Sequence, residues 1–209
     1  MARTDNENSA GAVAAGDVTL QSYEAAAERY VRESQQPRGQ VLDFLGAFAG
    51  LVGSGTVLEL GSGPGWDADH VERQGLRVIR TDGAASLVER LRQQGHDARV
   101  LDVRTDDLGG PFEGILANAV LLHLSRAEFV EVLHRAHRAL RPDGVLGFTL
   151  KEGDAEGWSH AKLDLPRHFT YWRESDVRHA LATTGWRVLS IEHVPGRREN
   201  WLYVLVGLD

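Results

Sequence analysis

No cysteine occurs in the 209 residues. That removes disulfide staples, thiolate metal ligands and iron–sulfur clusters. Lysine is nearly absent: Lys151 and Lys162 stand alone among 23 basic residues, which reads as a G+C-rich, bacterial coding genome. Positive charge is also in deficit, with 30 acidic residues and a net charge of −7. A chain that lives on nucleic acid backbones needs a basic face, so no nucleic acid partner is expected. No stretch approaches the ~20 apolar residues of a membrane span. Met1 to Asp17 is polar, small and without an apolar h-region, so neither a signal peptide nor a membrane partner is expected, and the cytoplasm is the expected location. Residues 1–18 read as a flexible tail. Residues 19–209 read as one domain, long enough to bury a real core.

What is present is an alternation of strand and helix patterns. Leu20–Glu33 and Arg38–Val52 are expected to be helices, the second with Val41, Leu42, Leu45 and Phe48 on one face. Strands follow at 56–60, 76–81, 98–101, 113–118 and 145–151. Helices are expected at 66–74, 84–94, after a Ser125/Glu128 capping box, and around 174–184. Arg141-Pro142-Asp143-Gly144 has the composition of a type I turn. The end breaks the pattern: two β-rich runs, Trp186–His193 and Asn200–Gly207, are joined by five residues that include Pro195 and Gly196. Five residues make a hairpin but cannot hold a crossover helix, so the last strand runs antiparallel to its neighbour. The expected architecture is α/β: three layers, Rossmann-like, with a seven-stranded, mostly parallel sheet and an antiparallel C-terminal hairpin.

The most informative stretch is Val57-Leu58-Glu59-Leu60-Gly61-Ser62-Gly63-Pro64-Gly65-Trp66-Asp67. A strand runs into glycines at alternate positions, which lets a ligand approach the backbone, and the next helix points its free N–H groups there. A dinucleotide fingerprint would place its third glycine where Trp66 stands, and bulk there opposes close helix–strand packing. Asp82 closes the second strand, placed to accept from ribose hydroxyls or to cap the next helix. Asp102 closes the third, where a carboxylate can accept from an adenine amine. Two acceptors with no phosphate-holding base suit an adenosine that carries something other than phosphate.

On these residues the chain resembles the class I S-adenosylmethionine-dependent methyltransferases of small-molecule type, over roughly residues 20–207. Glu59–Gly65 matches their first motif, and Asp82 and Asp102 the acidic ends of strands two and three. Asn118–His123 matches the segment after strand four, and Leu140–Leu146 the turn before strand five. The resemblance implies S-adenosylmethionine as cofactor, with S-adenosylhomocysteine as product. It implies binding by Glu59, Gly61, Ser62, Gly63, Gly65, Trp66, Asp82, Gly83, Asp102, Val103 and Asn118. It also implies lid helices at about 20–52, with Tyr30 and Arg38 meeting the methionine carboxylate.

Catalytic candidates are His123, at the carboxyl edge of the sheet, and His168. Each is a possible base for a hydroxyl acceptor, and each has a purely structural alternative. Lys151, Glu152, Trp158 and Tyr171 are expected to join His168 around an acceptor pocket. No acidic cluster suits a metal-assisted mechanism, so no metal is expected, and without cysteine no radical chemistry. The implied function is methyl transfer to oxygen or nitrogen of a small molecule, a secondary metabolite among the candidates, by a monomer or homodimer. A methyltransferase for protein or nucleic acid, or a non-catalytic sensor of the cofactor, are the alternatives.

Overall fold

The computed structural model describes residues 14–209. Helices α1 (Ala15–Ala25), α2 (Ala27–Glu33) and α3 (Gln40–Val52) precede an alternating unit. This unit is β1 (Thr56–Leu60), α4 (Trp66–Arg73), β2 (Arg77–Asp82), α5 (Ala85–Gln93), β3 (Ala98–Val100) and β4 (Phe112–Ala117). Then come α6 (Arg126–Ala139), β5 (Leu140–Lys151), β6 (Glu156–Ser159), β7 (Arg167–Thr170), α7 (Glu174–Thr183), β8 (Trp186–Val194) and β9 (Trp201–Leu208). Seven strands form one sheet in the order β3-β2-β1-β4-β5-β9-β8. β9 runs antiparallel to both β5 and β8, and the other pairs are parallel. The short Pro-Gly connection has the consequence expected of it.

Period-two alternation assigns the two faces. Val57 and Leu116 pack toward α3 and α4 with Phe44, Leu45 and Phe48. Leu58, Leu60, Ile115 and Ala117 pack on the other face with Phe129 and Leu133 of α6 and Leu181 of α7. The capping box forms: Ser125 Oγ accepts the Glu128 amide and Glu128 Oε2 accepts the Ser125 amide. Among the described residues, no helix is long and apolar enough to cross a membrane.

Four expectations need correction. Helix begins at Ala15, so the expected tail through residue 18 is too long; residues 1–13 lie outside the described chain. The first long helix is two, broken at Ala26, whose φ of −118° and ψ of 24° are not helical. The loop after strand five contains its own antiparallel pair, β6–β7; four-residue strands leave too short a pattern to read. The expected Arg141–Gly144 turn lies inside β5 as a bulge: pairing jumps from Phe112↔Leu140 to Gly114↔Val145, and Arg141, Pro142 and Asp143 loop out to solvent.

Candidate active site

The glycine turn owes its shape to backbone that side chains would block. Gly61, Gly63 and Gly65 have φ of 66°, 51° and 88°, in the left-handed region that a Cβ disfavours. A Cβ on Gly63 would stand 3.0 Å from Tyr30 Cε1, one on Gly65 2.7 Å from Leu91 Cδ2, and one on Gly61 would collide with Val120. Asp82 stitches the turn to β2. Its Oδ2 accepts the Gly63 amide and its Oδ1 the Ala84 amide, each at 2.9 Å. Burial pushes its carboxyl up to about 6 against the pull of those amides.

Above the turn, α1 and α2 form a roof. Ser22 Oγ donates to the Pro166 carbonyl at 2.7 Å, Thr19 Oγ1 accepts the His168 amide at 2.9 Å, and Arg29 Nη1 donates to the Leu163 carbonyl at 3.0 Å. Tyr23 and Tyr30 meet edge to face, centroids 5.0 Å apart. Beneath them lies a cavity between the glycine turn and the roof. Of the residues expected from the sequence, Tyr30, Gly61, Gly63, Asp82 and Gly83 line it. So do Asp102, Val103, Asn118 and His123. An adjoining cleft shares Tyr30, Gly61 and Asn118 and adds Arg38, Ser62 and Trp66.

Glu59, Gly65 and His168 line neither space. Glu59 is buried beside the turn, 3% exposed, its Oε2 without a hydrogen-bond partner. Burial, reinforced by the Asp67 charge, pushes its carboxyl up to about 8. His168 faces away, its Nε2 3.4 Å from Glu156 and its ring against Trp158. The expected acceptor set disperses with it. Lys151 and Tyr171 are tied to Glu199 at 2.8 and 2.7 Å, Glu152 is tied to His193, and Trp158 is half exposed on β6.

Asp102 is less open than its position implied. Arg104 Nε and Nη2 reach it at 3.0 and 2.6 Å, and Arg104 Nη2 also pairs with Asp17 of α1 at 2.8 Å. Burial works against the Asp102 charge, but these bonds hold its carboxyl below the ordinary range.

His123 Nδ1 lies 2.6 Å from the His168 carbonyl oxygen and Nε2 2.9 Å from the Tyr23 hydroxyl. Burial drives the ring's conjugate acid down to about 3. That is far below the near-neutral value that suits a general base.

Three residues of the site were not picked out from the sequence. Asp67 Oδ2 accepts from Asn118 Nδ2 at 2.7 Å. Thr149 Oγ1 donates to Asn118 Oδ1 at 2.8 Å and accepts the Ala119 amide at 2.9 Å, at a residue with φ of 57°. Tyr23 stands seven residues before Tyr30, but its partners come from 100 or more residues away. The Asp69, Glu72 and His96 group could hold a cation by spacing. The buried Arg80 guanidinium already meets Asp69 and Glu72 there, at 2.7 and 2.9 Å.

The donor set fits an adenosyl amino acid. The turn offers a cradle free of Cβ, Asp82 a buried acceptor, and Leu87, Leu101 and Val103 apolar walls. Comparison with known proteins agrees. Residues 27–191 match the family described as methyltransferase domain. An N-demethylindolmycin N-methyltransferase of Streptomyces griseus is 26% identical over 209 residues, covering 81% of this chain and 88% of that one. The fold is similar to a Burkholderia thailandensis 1,6-didemethyltoxoflavin-N1-methyltransferase solved with 1,6-didemethyltoxoflavin and S-adenosylhomocysteine. There the TM-score is 0.75 at 20% identity over 95% of this chain and 92% of that one. It is also similar to a Synechocystis magnesium protoporphyrin IX methyltransferase with bound S-adenosylmethionine, TM-score 0.72 at 14% identity over 95% and 99%. With the family model spanning most of its length, the chain belongs to the methyltransferase-domain family, and S-adenosylmethionine is its methyl donor.

Proposed function

We propose that this enzyme methylates a nitrogen or oxygen of a small organic acceptor, of the secondary-metabolite kind, without a metal. The observation that carries the small acceptor is the roof. α1 and α2 are bonded down across the cavity to the 163–168 segment, which, among the described residues, roofs the site in a way that suits a small molecule better than a polymer. The net charge of −7 supports the same reading, as do the small-molecule names of the relatives.

When bound, S-adenosylmethionine supplies a methyl group already activated by its sulfonium. The chain's own work is orientation and the exclusion of water. Asp82 holds the glycine turn and has carboxylate lone pairs left for ribose hydroxyls. Gly83, Asp102 and Val103 would border the adenine end, and Trp66 and Arg38 the methionine end. Tyr23 and Tyr30 close the roof over the cavity. Alignment of this kind can supply ~7–11 kcal/mol.

Two measurements test the reading together. Calorimetric titration should show S-adenosylhomocysteine binding, and labelled methyl transfer should favour a metabolite pool over peptide and RNA pools. Label entering RNA or peptide alone would overturn the small acceptor; binding without any transfer would make the chain a sensor.

A further inference from the structure

The hydroxyl of Tyr23 sits in a hydrogen-bond state that its neighbours fix. His123 Nδ1 is 2.6 Å from a carbonyl oxygen, that of His168, which has no proton to give. Nδ1 therefore carries the ring proton. In a buried, neutral imidazole the other nitrogen is then a bare lone pair, and the Tyr23 hydroxyl 2.9 Å away is the donor that meets it. Arg167 Nη1 stands 3.2 Å from the same oxygen, and a guanidinium only donates. A hydroxyl has one proton and two lone pairs. The proton goes to His123 and one lone pair to Arg167, so one lone pair remains. Tyr23 and His123 both border the roofed cavity, beside Tyr30, Val120 and Leu124.

We propose that Tyr23 Oη receives the N–H of the methyl acceptor, and that this nitrogen is the atom methylated. The inference rests on the function proposed above and narrows it to small amines that are neutral when bound. A group that can only accept selects a ligand that donates. An acceptor O–H would also donate, but its oxygen becomes a strong nucleophile only on losing that proton, and nothing in the cluster takes it. The lone pair of His123 Nε2 is occupied, Tyr23 already holds its own proton, and Arg167 is a permanent cation. A neutral N–H nitrogen needs no such loss. Its lone pair forms the new C–N bond, the C–S bonding pair leaves with sulfur, and the N–H proton stays on the product nitrogen until water takes it. Held by that N–H, the nitrogen has one orientation in which its lone pair faces the methyl group.

The test uses matched probes: small aromatic amines, each with its phenol and its fully N-alkylated counterpart, and labelled S-adenosylmethionine. Wild type should label nitrogen. Label on oxygen, or no transfer to any amine by protein that binds S-adenosylhomocysteine, overturns the inference. Absence of S-adenosylhomocysteine binding would instead strike at the function proposed above. In Tyr23→Phe, KM for the amine should rise at least tenfold with S-adenosylhomocysteine affinity within twofold. Lost cofactor affinity with unchanged KM would give the hydroxyl to the cofactor and overturn the inference. Should Tyr23→Phe not fold, His123→Leu frees the Tyr23 proton. The preference for each amine over its N-alkylated counterpart, read as a ratio of competitive inhibition constants, should fall at least fivefold. An unchanged ratio overturns the inference.

Discussion

Asp82 holds Gly63 in place: one carboxylate oxygen accepts the Gly63 amide at 2.9 Å across 19 residues of chain. The acidic end of strand two therefore shapes the glycine turn as well as facing the ligand. Asp82→Ala removes a charged acceptor from the Gly63 and Ala84 amides at once. Bonds to a charged group contribute ~1.5–3 kcal/mol, so S-adenosylhomocysteine affinity should fall roughly 10–150-fold. Calorimetry checks this; unchanged affinity would remove Asp82 from the site.

Glu59 gives the site a pH dependence opposite to that of a salt-bridged carboxylate. Burial raises it to about 8 and Asp82 to about 6. Between its unfolded and folded values, each group binds a proton in the native state but not in the unfolded one. Stability should therefore fall as pH rises from ~4 to 8. Glu59→Gln keeps the shape and removes the buried charge. Its unfolding free energy from urea titration should sit close to wild type at pH 5 and above it at pH 8, by an amount on the order of a few kcal/mol. A variant less stable than wild type at both values would mean that the Glu59 charge is compensated.

The glycine turn, the acidic strand ends and the antiparallel last strand were legible because each depends on local chemistry: φ at Gly61–Gly65, a carboxylate at position 82, five residues around Pro195. The roof was legible only in outline. Nothing local in Leu20–Glu33 announces that Ala26 breaks the helix, or that Ser22 bonds Pro166 across 144 residues. His168 was misplaced for the same reason. Its position after strand five is correct, but the short β6–β7 pair turns its side chain toward Glu156 and Trp158. Side-chain direction there depends on a pairing that four-residue strands do not signal.

Gly63 separates backbone strain from ligand contact. A Cβ at φ of 51° costs ~1–2 kcal/mol and also presses Tyr30 Cε1 from 3.0 Å. Gly39 has nearly the same φ, 53°, with nothing within 4 Å of its added Cβ. Gly63→Ala and Gly39→Ala should both lower Tm, by about 2–4 °C per kcal/mol for a chain of this length. Only Gly63→Ala should weaken S-adenosylhomocysteine, since it displaces the roof. Equal loss of affinity in both variants would make the effect one of general stability.

Thr149 carries the most consequence for the least visible signal. It is fully buried in β5, and its hydroxyl does two jobs for the turn after β4. It accepts the amide of Ala119, which sits at a left-handed φ, and donates to Asn118 Oδ1, leaving the Asn118 amide to reach Asp67. The strained residue and the cavity-lining carboxamide thus depend on one oxygen atom. Thr149→Val keeps the volume and deletes that oxygen, stranding a donor and an acceptor at ~1–3 kcal/mol each. Tm should drop, and S-adenosylhomocysteine should bind at least tenfold more weakly in Thr149→Val, whereas Thr149→Ser, which restores the oxygen, should recover most of the affinity. If serine rescues nothing, packing of the methyl group rather than the hydrogen bonds holds this corner of the site.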